Sequence, residues 1–198
     1  MAPGVCIDTE LRALDHEERI DRGLIDVFIA PRSLVSPEHP CRLLFEDEYV
    51  AVVWSGNQEV GKHFSKDQFL NMGHAVRSIY PGRASRVGDE LRVQELGYQR
   101  KVVLRVPTFE MLPRVIVGTR LVATMQRRLA MAAARTLPIR IFEHPLEMRR
   151  LELVMQWPRH REEDSGGQWL RQHFLDVARE EFAGGGGITV TNTTDLSK

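Results

Sequence analysis

Val5, Ile7, Thr9 and Leu11 alternate with other residues, the period-2 pattern of a strand with one buried face. The charged run "DHEERIDRG" behind them predicts a short helix stopped by Gly23, and "IDVFIA" (25–30) an apolar strand, together a βαβ unit. "RSLVSPEHP" is a loop by its Ser and Pro content, "EYVAVVW" (48–54) a buried strand, and "SGNQ" a break. Ser65 and Gln68 form a capping box for a helix ended by Gly73, and "HAVRSIY" (74–80) follows as a strand. A helix over 84–97 ends at Gly97 and leads to the strand "KVVLRV" (101–106).

The next stretch reads as a helix over about 109–117, with Gly118 as its stop and "RLVATM" as a strand. Thr108 is a good N-cap type there, and Pro113, inside the helix, is expected to kink it. "QRRLAMAAAR" predicts a helix, and "IRIF" (139–142) and "LELVMQW" (151–157) predict strands. The last helix begins near "SGGQWLRQ" with Leu170, Phe174, Val177 and Ala178 on one face, and "GGGGITVTNTTDLSK" is a loose tail. Strands alternating with helices imply an α/β fold with a mainly parallel sheet.

Composition narrows the class without naming a function. The 198 residues suffice for one large domain or two small ones, and 42% hydrophobic with 27% charged residues is ordinary for a soluble protein. No apolar run approaches the roughly 20 residues of a membrane-spanning helix, and "MAPGVCIDTE" lacks the basic and apolar regions of a secretory signal. Cys6 and Cys41 form no metal or redox spacing, so free thiols in the cytoplasm are expected. The net charge of zero hides a segregation: residues 1–53 carry 11 acidic and 5 basic groups, 54–150 carry 8 and 17, and 151–198 carry 8 and 5. A basic middle between acidic ends is what a chain produces when its middle forms one lobe and its ends meet in another. Scattered surface arginines give the same count.

Catalytic signatures are weak. "EDSGG" (163–167) resembles the surroundings of a chymotrypsin-type serine, but that chemistry needs a histidine, a buried aspartate and an all-β scaffold, and Ser165 stands where a helix N-cap is expected. "EHPC" places His39 and Cys41 two apart in what reads as a solvated loop, too few groups for zinc. His74 is either a buried or capping histidine or a residue facing a cleft at a strand end. Pro107, Thr108 and Phe109 carry the same ambiguity, since backbone N–H groups at a helix start after a strand also suit an anion or carbonyl.

Several segments together resemble the effector-binding domain of LysR-type transcriptional regulators: "APGVCIDTELRAL", "RGLIDVFIAP", "LFEDEYVAVV", "MGHAVRS", "VPTFEMLPRVIVGTRLVATMQRRLA" and "QWPRH…WLRQHF". "SPEHP…LFEDEYV" and "MGHAV" are most similar to the nodulation D branch and its aromatic-sensing relatives. The resemblance covers about residues 2 to 182. It implies a fold like a type 2 periplasmic binding protein, with two Rossmann-like lobes, two crossing strands and a small molecule held between them. The lobes would be 1–54 with 151–183, and 55–150, followed by a flexible tail over 184–198.

It also implies a non-enzymatic sensor, without cofactor or metal, for an aromatic, phenolic or flavonoid-like effector. Carried over residue by residue, the effector contacts are Ala30, Pro31 and Arg32, then His74 and Val76, then Pro107, Thr108 and Phe109, and Thr124. Relatives that sense aromatic acids can carry a histidine at the Thr108 position; threonine keeps a donor and loses the titratable ring. A homodimer is implied, with DNA reached only through a helix-turn-helix domain. "MAPGV" matches the end of the family's first sensor helix, so that domain and the first strand and helix of the first lobe are expected to be missing, by truncation, a mis-assigned start codon or a gene remnant. Such a chain is expected to be marginally stable and aggregation-prone. An exported solute-binding protein of the same fold is the alternative, and it would need a signal peptide.

Overall fold

The computed structural model describes residues 4–10, 15–78 and 89–182. Among these residues eight strands form two sheets. The first contains β1 (Phe28–Pro31), β2 (Cys41–Asp47) and β8 (Leu151–Gln156), in the order β1-β8-β2. The second contains β3 (Tyr49–Trp54), β4 (Gly73–Arg77), β5 (Lys101–Val106), β6 (Val122–Gln126) and β7 (Ile139–Glu143), in the order β5-β4-β6-β3-β7. The helices are α1 (His16–Asp21), α2 (Lys66–Asn71), α3 (Asp89–Glu95), α4 (Leu112–Ile116), α5 (Arg127–Ala134) and α6 (Ser165–Phe182).

Glu48 alone separates β2 from β3, so the chain passes between sheets at one residue; it returns between β7 and β8. The five-stranded sheet thus begins at Tyr49, five residues before the expected break at Trp54. These crossings also correct the expectation of a mainly parallel sheet. Only β4 pairs in parallel, with β5 and β6. β3 carries the chain into the sheet antiparallel to β6 and β7, and β8 returns between β1 and β2, antiparallel to both.

The central strands follow their composition. Val50, Ala51, Val52 and Val53 are wholly buried, because β3 has a helical layer on each face. One face packs with Leu112, Ile116 and Ala130 of α4 and α5; the other packs with Phe69 and Val93 of α2 and α3. In the smaller sheet Leu44, Met155 and Trp157 meet Leu175 and Ala178 of α6, while Ile20 of α1 meets Phe28 and Ala30.

Several local expectations need correction. Residues 5–10 form no strand, and Val5 and Ile7 are 52% and 57% exposed: the alternation has no partner strand among the described residues, so no βαβ unit forms there. The helix expected over 109–117 is a 3-10 turn, Phe109–Met111, followed by α4, and the Thr108 side chain makes no capping bond. Pro113 does not kink α4. It sits in the first turn, where its missing N–H goes unused. The cap of α6 is Asp164 rather than Ser165, its carboxylate accepting from the Gly167 N–H at 2.6 Å, and Leu175 rather than the 43%-exposed Val177 faces the core. His39 is not in a solvated loop position: its side chain is 8% exposed, with Nε2 2.9 Å from Asp21. The expected strand, helix and tail residues at 11, 79–80, 84–88 and 184–198 lie outside the described residues.

The capping box is present. Ser65 Oγ accepts from the Gln68 N–H at 3.2 Å and Gln68 Oε1 from the Ser65 N–H at 3.0 Å. Ser65→Ala is expected to cost about 1 kcal/mol, read as a lower urea midpoint at unchanged slope. Gly73 does not stop this helix by its dihedral angles; it opens β4, where a Cβ would lie 2.8 Å from side-chain carbons of both Val103 and Leu121.

Candidate functional site

A cavity of about 360 Å³ lies where the two sheets meet. The smaller sheet contributes Pro31, Arg32 and Ser33 from the end of β1, with Leu151 and Glu152 from the start of β8. The larger sheet contributes Tyr49 and, from α3 above it, Leu91, Arg92 and Glu95. A second cavity of about 240 Å³ lies toward the return crossing, with Glu48, His144 and Met148; Tyr49, Arg149 and Arg150 line both.

Four arginines and two glutamates line the larger cavity. Arg32 is ion-paired with Glu152, and Glu95 receives both Arg92, at 3.4 Å, and Arg149, at 3.2 Å. Arg150 reaches Glu46 at 3.2 Å and Glu48 at 3.5 Å. The four arginines are thus each paired with a carboxylate, four in all, around the apolar surfaces of Leu91, Leu151 and the Tyr49 ring. Among the described residues no cluster of His, Cys, Asp and Glu could hold a metal ion.

The structure distributes the nine expected contacts unevenly. Pro31 and Arg32 line the larger cavity, and the other seven do not. Ala30 is buried against Ile20 and Phe28. Val76, Pro107, Thr108 and Phe109 gather at the carboxyl end of β4 and β5, because Arg77 pairs with Val106, while Thr124 is the middle residue of β6. The Arg77 guanidinium lies 5.4 Å from the Phe109 ring centre there. His74 sits at the opposite, amino end of β4, wholly buried, with Nε2 2.8 Å from the Phe69 carbonyl.

A polar group invisible in the sequence lies beneath this end of the sheet. The Phe69 ring lies between two histidines, 4.7 Å from the His74 ring centre and 4.8 Å from that of His144. His144 Nε2 meets the Thr124 hydroxyl at 3.2 Å. Burial is the main reason both imidazoles titrate at about 4, well below the usual histidine range; nearby Arg100 adds to it. Both rings are neutral at physiological pH. Arg100 itself, 1% exposed in its side chain, meets Asp89 at 2.7 Å and pairs with Glu90, tying α3 to the start of β5.

Two sheets joined by two crossing segments, with an arginine-lined cavity between them, define a two-lobed small-molecule-binding domain. The LysR substrate binding domain family model matches residues 2–179, and the chain belongs to that family. It is 34% identical over 177 residues to nodulation protein D 2 of Rhizobium tropici, covering 89% of this chain and 56% of that one. The chain thus spans about half the length of this curated relative. Among solved structures it resembles the regulatory domain of MexT, a transcriptional activator in Pseudomonas aeruginosa, with a TM-score of 0.67, 24% identity, and 81% and 76% of the two chains covered. It also resembles the effector binding domain of QuiR in complex with shikimate, with a TM-score of 0.66, 12% identity, and 85% and 78% covered. The fold is therefore the mixed α/β, type 2 periplasmic-binding-protein-like fold of these regulators. No helix among the described residues is long and apolar enough to cross a membrane.

Proposed function

We propose that this domain senses a small aromatic or phenolic molecule in the cavity between its two sheets and passes the signal to transcription. The observation that supports the reading is the lining itself: apolar Leu91, Leu151 and Tyr49 surrounded by Arg32, Arg92, Arg149 and Arg150, in a space of about 360 Å³. Ligand contacts from both sheets favour one angle between them, and that is the two-state element a regulator needs. In the proposed assembly the domain is cytoplasmic and homodimeric, and the angle alters how a helix-turn-helix domain grips DNA. Val76, Pro107, Thr108 and Phe109 form the adjoining wall at the sheet end, with Thr124 in the middle of β6. The lobes are residues up to Glu48 with 151–183, and Tyr49 to Arg150. The distant structural neighbour QuiR holds shikimate, a small ring-bearing carboxylate.

A thermal-shift panel of hydroxyflavones, hydroxybenzoates and amino acids tests the reading. An aromatic present at 100 times its dissociation constant stabilises by about 2.7 kcal/mol, which raises the melting temperature by roughly 5–11 °C for a chain of this size. Arg32→Ala is expected to reduce that rise. A shift with amino acids and none with any aromatic compound contradicts the proposal.

A further inference from the structure

Glu48 is the single residue between β2 and β3, and its carboxylate is held from two sides. Oε2 accepts from Arg127 Nε at 3.2 Å, at the start of α5, and Oε1 lies 3.5 Å from Arg150, the last residue of the return crossing. Arg150 also reaches Glu46 of β2 at 3.2 Å, and Arg127 reaches Glu143, the last residue of β7, at 2.5 Å. One carboxylate therefore joins the outgoing crossing to the returning one, and both to α5. Backbone bonds seat α5 at the same place independently of these side chains: the Arg127 N–H donates to the Glu48 carbonyl at 2.8 Å. The Arg128 N–H points to the Asp47 carboxylate at 3.4 Å.

The ion pairs themselves are loosely held. The Glu48 side chain is 47% exposed and that of Arg150 61%, so water screens their attraction. They add little to stability, and a contact of that strength is one a ligand can break. Arg150 lines both cavities, whereas Glu48 belongs to the smaller one. A ligand that engages Arg150 from the larger cavity competes with Glu46 and Glu48 for its guanidinium. We propose that Glu48 and Arg150 form a charge clamp across the two crossings, which sets the angle between the sheets in the free chain and is released when a ligand in the larger cavity takes Arg150. This rests on the effector cavity proposed above and specifies how its occupancy reaches the hinge. The sign follows: the clamp opposes the liganded angle, so removing it favours binding.

Spin labels at Glu180→Cys on α6 and Lys101→Cys on β5, both exposed positions, report the distance between the sheets by pulsed electron paramagnetic resonance, in a Cys6→Ser, Cys41→Ser background. The unliganded chain is expected to show one narrow distance distribution. Glu48→Gln and Arg150→Gln should each shift or broaden it, and the double variant by less than the sum of the two. The melting temperature of Glu48→Gln should stay within about 4 °C of wild type, as befits a partly exposed ion pair. An unchanged distribution in Glu48→Gln overturns the clamp. So does a melting loss well beyond that range, which would make Glu48 structural. The best stabiliser of the panel should move the wild-type distribution toward that of free Glu48→Gln, and should bind Glu48→Gln roughly two- to fivefold more tightly than wild type. Equal or weaker binding overturns the release. If no compound binds, the effector reading fails and the release with it, whereas the distances in the free chain still decide the clamp.

Discussion

Replacing Arg100 with alanine is expected to destabilise the chain by about 3–5 kcal/mol, the usual cost of removing one partner from a buried ion pair. The guanidinium is 1% exposed, and its two carboxylate partners, Asp89 and Glu90, are 15% and 16% exposed. Without it, two like charges remain at the start of α3 with neither a counter-charge nor full access to water. The effect reaches the site, because Leu91, Arg92 and Glu95 on the same helix wall the larger cavity. Ligand-induced stabilisation should therefore fall together with the melting temperature, itself lowered by roughly 6–20 °C. Adding Asp89→Asn and Glu90→Gln to the alanine variant removes the orphaned charges and is expected to recover much of the loss. A single Arg100→Ala variant within 1 kcal/mol of wild type contradicts this account of how α3 is held.

Acid is the second strong lever. His74 and His144 titrate at about 4 in the folded chain and near 6.5 when unfolded. Between those values the unfolded state takes up protons that the folded state refuses. Stability is therefore full above about pH 6.5 and falls as the pH drops toward 4, by on the order of 3 kcal/mol for each histidine. Urea unfolding from pH 7.5 to 4 measures it. Wild type should lose stability steeply over that window, and His74→Gln with His144→Gln should flatten the slope, although the double variant starts from a lower value. An equal slope in the two proteins would show that other groups carry the acid sensitivity. Because His144 holds Thr124 in the middle of β6, acid should loosen the larger sheet before it disturbs α6, which packs on the other sheet.

The elements legible from sequence are those whose burial leaves a simple pattern. β3 and β6 differ from expectation by one or two residues, because apolar runs in the middle of a sheet are buried on both faces, and β5, at the sheet edge with alternating burial, begins and ends at the expected residues. β2 was not legible. Its pairing with β8 shifts between Leu43 and Phe45, so no clean period of two survives. The alternation at residues 5–10 misleads for the opposite reason: the pattern is regular, but pairing depends on a neighbour that a local reading cannot supply.

Site residues divide in the same way. Pro31 and Arg32 are found by family resemblance and lie in the cavity. His74 carries the same resemblance yet lies buried at the far end of its strand, since one position along β4 decides between edge and interior. Tyr49 reads in the sequence as one more strand residue. Its place in the cavity comes from opening β3 beside a crossing. His144 and His74 converge only because Phe69 fills the space between two strands that are not neighbours. No periodicity records a contact of that kind.

The central claim is that a small aromatic molecule occupies the space between the two sheets. Amide chemical-shift mapping of the labelled 198-residue chain, titrated with the best stabiliser from the panel, tests it most directly. The account predicts saturable shifts at Arg32 and Ser33, at Tyr49, at Leu91 to Glu95, and at Leu151 and Glu152, with one ligand per chain. Shifts confined to other surfaces, or a response that does not saturate, would contradict it.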